Sequence, residues 1–239
     1  MATNDLQAFL DRASVAPEVF ELRPDYRVLL LAVDNIPHGP SDDISEALLK
    51  EAEAAARVQL AKHPITEIPH IAAWREAYKA FGAKPQKTRN SLEALTRRVD
   101  PNGLPRVNRL TDIYNGISVK HQIPLGGEDL AKYKGSPKLI RATGKEDFET
   151  KVEGKINVEH PSVGEVVWGD DAGVTCRLWN WRQSPRTALT VETTSAIFIM
   201  DALKPCSDAA LDAAKDELIA VLKNSGRDVQ VASRTIAAP

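Results

Sequence analysis

The spacing of apolar and polar positions divides the chain into helix-like and strand-like stretches. Residues 27–33, RVLLLAV, form a short unbroken apolar run closed by the turn-forming DNIPHGPSDD, the pattern of a buried strand. Ser41 or Asp42 then offers an N-cap to ISEALLKEAEAAARVQLAK, a segment rich in good helix formers. A second helix is predicted over IAAWREAYKAFG, where Ile71, Trp74, Tyr78 and Phe81 share roughly one face and Gly82 is the stop. Asn90 or Ser91 starts a third, ending at Arg97 and Arg98. A fourth begins near Leu110 and runs into the sharp PLGGEDL segment.

From Lys138 the period shortens. KLIRATG alternates, and EVVWGDDAGVTCRLWNW reads as a hairpin turning at Asp171, Ala172 and Gly173. Carried on as a strand, it sends Trp179 and Trp181 to one face and Asn180 and Arg182 to the other. SDAALDAAKDELIAVLKNSG is an amphipathic helix stopped by Gly226, followed by a short polar tail containing VQVAS. Helices early and strands late predict an α+β fold, a mixed β-sheet flanked by helices. No repeat, low-complexity tract or Pro/Gly-rich linker divides residues 1–239, so a single domain is expected.

The net charge of −2 gives no overall pull on nucleic acid, so any RNA contact has to come from a local patch. Lys84, Lys87, Arg89, Arg97, Arg98 and Arg106 form the one obvious candidate, which reads equally as a solvated helix surface. Cys176 and Cys206 lack metal-site or disulfide spacing, and the five histidines are isolated, so neither metal nor cofactor is expected. The cysteine usage, together with an N-terminus that has no signal pattern, fits a reducing cytoplasm. The longest apolar run is too short to cross a bilayer. Nucleotide-binding glycine loops, the zinc-protease helix motif and the serine nucleophile elbow are all absent, which removes support for those chemistries.

In RVNRLTDIYNGISVKHQIPLGGEDL, the residues Asn108, Asp112, Asn115, Pro124 and Asp129 fall at a recognisable spacing, N-x3-D-x2-N followed by P-L and a closing D. This stretch resembles the B3/B4 domain of the phenylalanyl-tRNA synthetase β subunit, and the likeness extends from about Trp74 to Leu203, including GEVVWGDDAG and VETT near Glu192. FGAKP-x-K-T-R-x-S-x-EAL-x-RR, LPR-x-N and W-x-W-R-Q-S are similar to free-standing members of that family, one branch of which deacylates arginine tRNA charged with canavanine. The resemblance therefore implies a cofactor-free hydrolase acting on mischarged tRNA, with tRNA as partner and neither DNA nor a membrane. A monomer is expected, because no long exposed apolar stripe is evident.

What the resemblance implies for residues is uneven. Asn115 matches an asparagine that lines the synthetase's editing pocket, whereas Gly126 stands where the synthetase has a histidine. Asn180 and Gln183 fall near two small positions of the pocket wall. The family's downstream glutamate falls on or near Ile199, with Asp201 the closest carboxylate. Those departures count against a tyrosine pocket. Asn108, Asp112, Tyr114, Trp179, Asn180 and Gln183 are the expected substrate-binding residues, and planar acceptors with a carboxylate suit a guanidinium-like group. Asn115, Gly126, Gly127, Glu128 and Asp129 are the expected catalytic set, with the two glycine N–H groups facing the oxyanion and Asn115 and a carboxylate orienting water. Two alternatives stay open. Asp112 and Asn115 could instead brace the helix–loop junction, and the protein could be a tRNA- or amino-acid-binding module without catalysis.

Overall fold

The computed structural model describes residues 2–226 and 228–239. In chain order the helices are α1 (Thr3–Asp11), α2 (Pro17–Leu22), α3 (Asp43–Leu60), α4 (Pro69–Ala80), α5 (Ser91–Asn102), α6 (Arg109–His121) and α7 (Asp208–Ser225). The strands are β1 (Ser14–Val15), β2 (Arg27–Asp34), β3 (Leu125–Asp129), β4 (Lys138–Arg141), β5 (Phe148–Val152), β6 (Lys155–Glu159), β7 (Val166–Asp170), β8 (Gly173–Arg177), β9 (Arg182–Gln183), β10 (Ala196–Ala202) and β11 (Gln230–Ala237). The fold is α+β. An antiparallel sheet in the order β11-β2-β10-β3 faces a mixed sheet in the order β1-β4-β7-β8-β9, and β5 and β6 form a separate hairpin.

Local chemistry places the helices. Asp42 caps α3 by accepting from the Ser45 N–H at 2.9 Å, Asn90 caps α5 through the Glu93 N–H at 2.9 Å, and Asn108 caps α6 through the Thr111 N–H at 2.9 Å. Each supplies an acceptor to a first-turn donor that the helix itself leaves unpaired. Strand β2 is apolar from Val28 to Val33 because both its faces are covered. Leu29, Leu31 and Val33 pack with α3, α6 and α7, while Val28, Leu30 and Ala32 pack with α1, α4 and the five-stranded sheet.

Three expectations need correction. The sharp PLGGEDL segment is mostly strand, because Leu125–Asp129 within it form β3, the edge strand paired with β10. The segment after α7 is not a tail, because β11 pairs with β2 along its whole length. The LWNW sequence does not extend β8. Leu178 (φ 48°) and Trp179 (φ 68°) adopt left-handed backbone, and Trp181 N–H returns to the Arg177 carbonyl at 3.1 Å, closing a four-residue loop into β9.

Candidate active site

A cavity of about 280 Å³ lies between the two sheets and the helices α5 and α6. Arg98, Ser91, Ala94 and Leu95 come from α5, and Tyr114 and Asn115 from α6. Leu125, Gly126 and Glu128 of β3 line it together with Ile199 and Asp201 of β10, and Trp168 and Cys176 come from the facing sheet. The β8–β9 loop closes it with Trp179, Asn180 and Trp181, next to Gln183.

Register explains the floor. Glu128 is opposite Ile197, Gly126 is opposite Ile199, and the Asp201 N–H donates to the Pro124 carbonyl at 3.0 Å. Directly opposed residues share a face, so Glu128, Gly126 and Asp201 look the same way. Four residues of strand separate the Glu128 level from Asp201, about 13 Å at the usual strand rise. The cavity therefore has a carboxylate toward each end. Between them lies Gly126, where a Cβ would stand 2.9 Å from Gln183 Nε2.

The two carboxylates differ in their partners. Glu128 is 1% exposed; its Oε2 accepts from the Tyr133 hydroxyl at 2.5 Å, and its Oε1 has no hydrogen-bond partner. Burial pushes its pKa up to about 7. The nearby Thr175 and Thr187 hydroxyls ease that penalty without closing a hydrogen bond. Asp201 is 2% exposed and accepts from the Tyr26 hydroxyl at 2.6 Å and from Asn180 Nδ2 at 3.3 Å. Burial likewise raises it to about 7, with the Tyr26 and Asn180 donors acting against the rise. No lysine or arginine forms a salt bridge with either group among the described residues, so a cation entering the cavity would meet carboxyl groups without a salt-bridge partner of their own.

Asn115 is buried, borders the cavity and makes no side-chain hydrogen bond among the described residues. Its amide is available as donor or acceptor to a guest. Tyr114 supplies a wall, its phenol held protonated by burial. Trp179 is fully buried in an aromatic cage, with ring centroids 4.9 Å from Tyr26 and 5.2 Å from Trp74. Asn180 is fixed by accepting from the Tyr78 hydroxyl at 2.9 Å while donating to Asp201. Gln183 Nε2 donates to the Gly127 carbonyl at 3.1 Å.

The remaining candidates sit elsewhere. Asn108 is occupied as the α6 cap, and Asp112 accepts from the Val107 N–H at 2.8 Å and from the Ser41 hydroxyl, so both brace the helix–loop junction. Asp129 accepts from the Ala131 N–H at 3.1 Å and the Thr193 hydroxyl at 2.9 Å. The Gly126 N–H is taken up in the ladder with β10, and Gly127 is not among the residues that line the cavity. The bonds from the Asp201 N–H to the Pro124 carbonyl and from the Leu130 N–H to the Ser195 carbonyl fix the ladder's phase, which pairs Gly126 with Ile199. The Gly127 main chain faces away from β10, toward Gln183 and the Glu128–Ala188 bridge.

The basic stretch is also divided. Arg106 is taken up by Glu46 at 2.8 Å and Glu53 at 2.6 Å, and Arg97 by Glu93 at 2.9 Å, with Arg89 3.8 Å from the same carboxylate. Lys84, Lys87 and Arg98 are exposed and have no ion pair among the described residues. Residue typing missed Trp168 and Trp181 as lining residues. Asp201, noted only as the nearest carboxylate, carried a visible signal as the one charge in the apolar run AIFIMDA.

Among the described residues no group of histidines, cysteines and carboxylates could hold a metal ion, and no helix is long and apolar enough to cross a membrane. A family model described as the B3/4 domain matches residues 73–216. An N-terminal fragment of the phenylalanyl-tRNA synthetase beta-subunit from Pyrococcus horikoshii is similar in structure at a TM-score of 0.45 and 11% identity. The match covers 92% of this chain and 49% of that one, so the chain spans about half the length of the fragment. No curated protein sequence matches the chain.

Proposed function

Because the chain belongs to the B3/4 domain family, we propose that it is a trans-editing aminoacyl-tRNA deacylase, which hydrolyses the ester of tRNA carrying the wrong amino acid. The amino acid we assign is canavanine on the arginine tRNA. The observation that carries this reading is the pair of buried, cation-free carboxylates, Glu128 and Asp201, toward opposite ends of one cavity. A canavanyl ester presents an α-ammonium at one end and a guanidine-type group at the other. Either orientation sets each end against a carboxylate, and the Glu128 Oε1 has no hydrogen bond of its own to give up. Phenylalanine and tyrosine offer nothing cationic to the distal carboxylate.

An aminoacyl ester is already activated, so the protein needs to orient water and stabilise developing charge. Water oxygen bonds to the carbonyl carbon, the ester bond to the terminal ribose breaks, and the released ribose oxygen takes up a proton. The Asn115 amide, unpaired and facing the cavity, is the group we assign to the water or the developing oxyanion, in place of Gly126 and Gly127. Lys84, Lys87 and Arg98 are the cations left free for the RNA backbone.

The test is release of free amino acid from purified tRNA charged with canavanine, arginine, tyrosine or serine. Canavanine should be released fastest. Asn115→Ala should lower the rate about a hundredfold to a thousandfold, the cost of losing one preorganised donor, with an unchanged melting temperature. Full activity in that variant would remove Asn115 from the mechanism. Binding of tRNA with no cleavage of any ester would make the protein a binding module.

A further inference from the structure

The four tryptophans are not equivalent. Trp74, Trp168 and Trp179 are at most 1% exposed, whereas Trp181 is 38% exposed although it also borders the cavity. Its position follows from the backbone. The left-handed residues Leu178 and Trp179 turn the loop so that Trp179 enters the aromatic cage and Trp181 emerges at the entrance. The loop is held rigidly, since Asn180 is tied to Tyr78 and Asp201 by its side chain and its carbonyl accepts the Ser91 N–H at 3.0 Å. That last bond also joins the loop to the start of α5, on whose later turn Arg98 borders the same cavity. Arg182 lies 5.9 Å from the Trp181 ring centroid, a cation over an aromatic face.

We infer that Trp181 is the platform on which the unpaired terminal base of the RNA stacks, with Arg98 holding a neighbouring phosphate. The inference rests on the tRNA reading above and names a base-binding position that reading did not include. Charge complementarity selects a polyanion over an apolar peptide. Arg182 lies over the ring and Arg98 borders the same cavity, neither with an ion pair among the described residues, and Lys84 and Lys87 in the segment leading into α5 are also unpaired. A loop backbone tied down before binding loses little freedom when a base stacks on the ring it carries. Stacking tolerates any base, so this position would anchor the RNA end without reading its identity.

The probe is a short single-stranded RNA ending in CCA, with no amino acid attached, titrated into the full chain while tryptophan emission and RNA anisotropy are followed. The wild type should bind with quenching. Trp181→Leu should bind about fivefold to a hundredfold more weakly, and Trp181→Phe should keep most of the affinity but lose the quench. Arg98→Ala should reduce the slope of log affinity against log salt by about one. On charged tRNA, Trp181→Leu should raise KM and leave kcat near the wild-type value. Wild-type affinity in Trp181→Leu, or a quench that survives in Trp181→Phe, would overturn the assignment. Ester hydrolysis without any Trp181 effect would sink this inference alone, and a Trp181-dependent quench without hydrolysis would sink the deacylase reading alone.

Discussion

Glu93 and Glu128 are both buried glutamates, one at the seam of α4 and α5 and the other on the cavity floor. Glu93 is fully buried, and Arg75 reaches both its oxygens at 2.9 and 3.0 Å, with Arg97 at 2.9 Å and Arg89 at 3.8 Å. Glu128 is as deeply buried, yet its single hydrogen-bonding partner is a tyrosine hydroxyl and one oxygen is left open. The first carboxylate has its counter-charge built in, and the second has a cavity where a counter-charge would go. A buried acid in itself says little about function. What separates the two is whether the fold completes its hydrogen bonding or leaves that to a guest.

The comparison breaks most directly in stability. Glu93→Gln should destabilise the protein by about 3 kcal/mol in urea unfolding, because three guanidinium groups lose their carboxylate. Glu128→Gln should stay within about 1 kcal/mol of the wild type or exceed it, since a neutral amide removes a desolvated acid that has no cation. Equal losses in both would show that Glu128 is structural too. In deacylation the order should invert. Glu128→Gln should slow canavanyl-tRNA cleavage about tenfold to a hundredfold, the worth of a hydrogen bond to a charged group.

Proton linkage gives a finer test. Glu128 and Asp201 hold their protons in the folded chain until about pH 7, whereas their ordinary values are 4.5 and 3.8. Between those values the folded state binds more protons than the unfolded one. The contribution of these two groups is therefore fully present below about pH 4, falls as pH rises, and levels off above about pH 7. His70 acts in the opposite sense. Burial lowers it from 6.5 to about 4, so its contribution is lost as pH falls through that window. Unfolding midpoints followed from pH 4 to 8 should thus fall more steeply with rising pH in the wild type than in a Glu128→Gln, Asp201→Asn double variant, with His70 common to both. A guanidinium ligand whose charge does not titrate in this range should bind more tightly as pH rises through about 7.

Gly126 offers the smallest effect. Gly126→Ala puts a Cβ 2.9 Å from the end of the flexible Gln183 side chain, which can move aside. Stability should change by about 1 kcal/mol or less, and the filled floor between the carboxylates should raise KM for the charged tRNA. An unchanged KM would mean that the substrate does not cross Gly126.

Much of the scaffold was legible because local rules decided it. The run at residues 27–33, the caps Asp42 and Asn90, and the amphipathic segments around Trp74 and along α7 each carry their own signal, since a cap or an apolar stripe depends on neighbours one turn away. Strand β3 was not legible. Two glycines favour a turn locally, and only the open edge of β10 makes that segment a strand. The Trp179–Trp181 alternation misled for the same kind of reason, because the aromatic cage around Trp179 outweighs the backbone preference at Leu178 and Trp179.

The sequence by itself determined which residue types were on hand: amides, carboxylates, glycines and a basic stretch within reach of one another along the chain. Only the tertiary structure decided which of them remain unsatisfied. Asp112, Asp129 and Arg106 found partners within the fold, whereas Asn115, Glu128 and Arg98 kept open valences beside one cavity. Satisfaction of a polar group depends on what long-range packing brings to it, and that information is not held in the group's own stretch of chain.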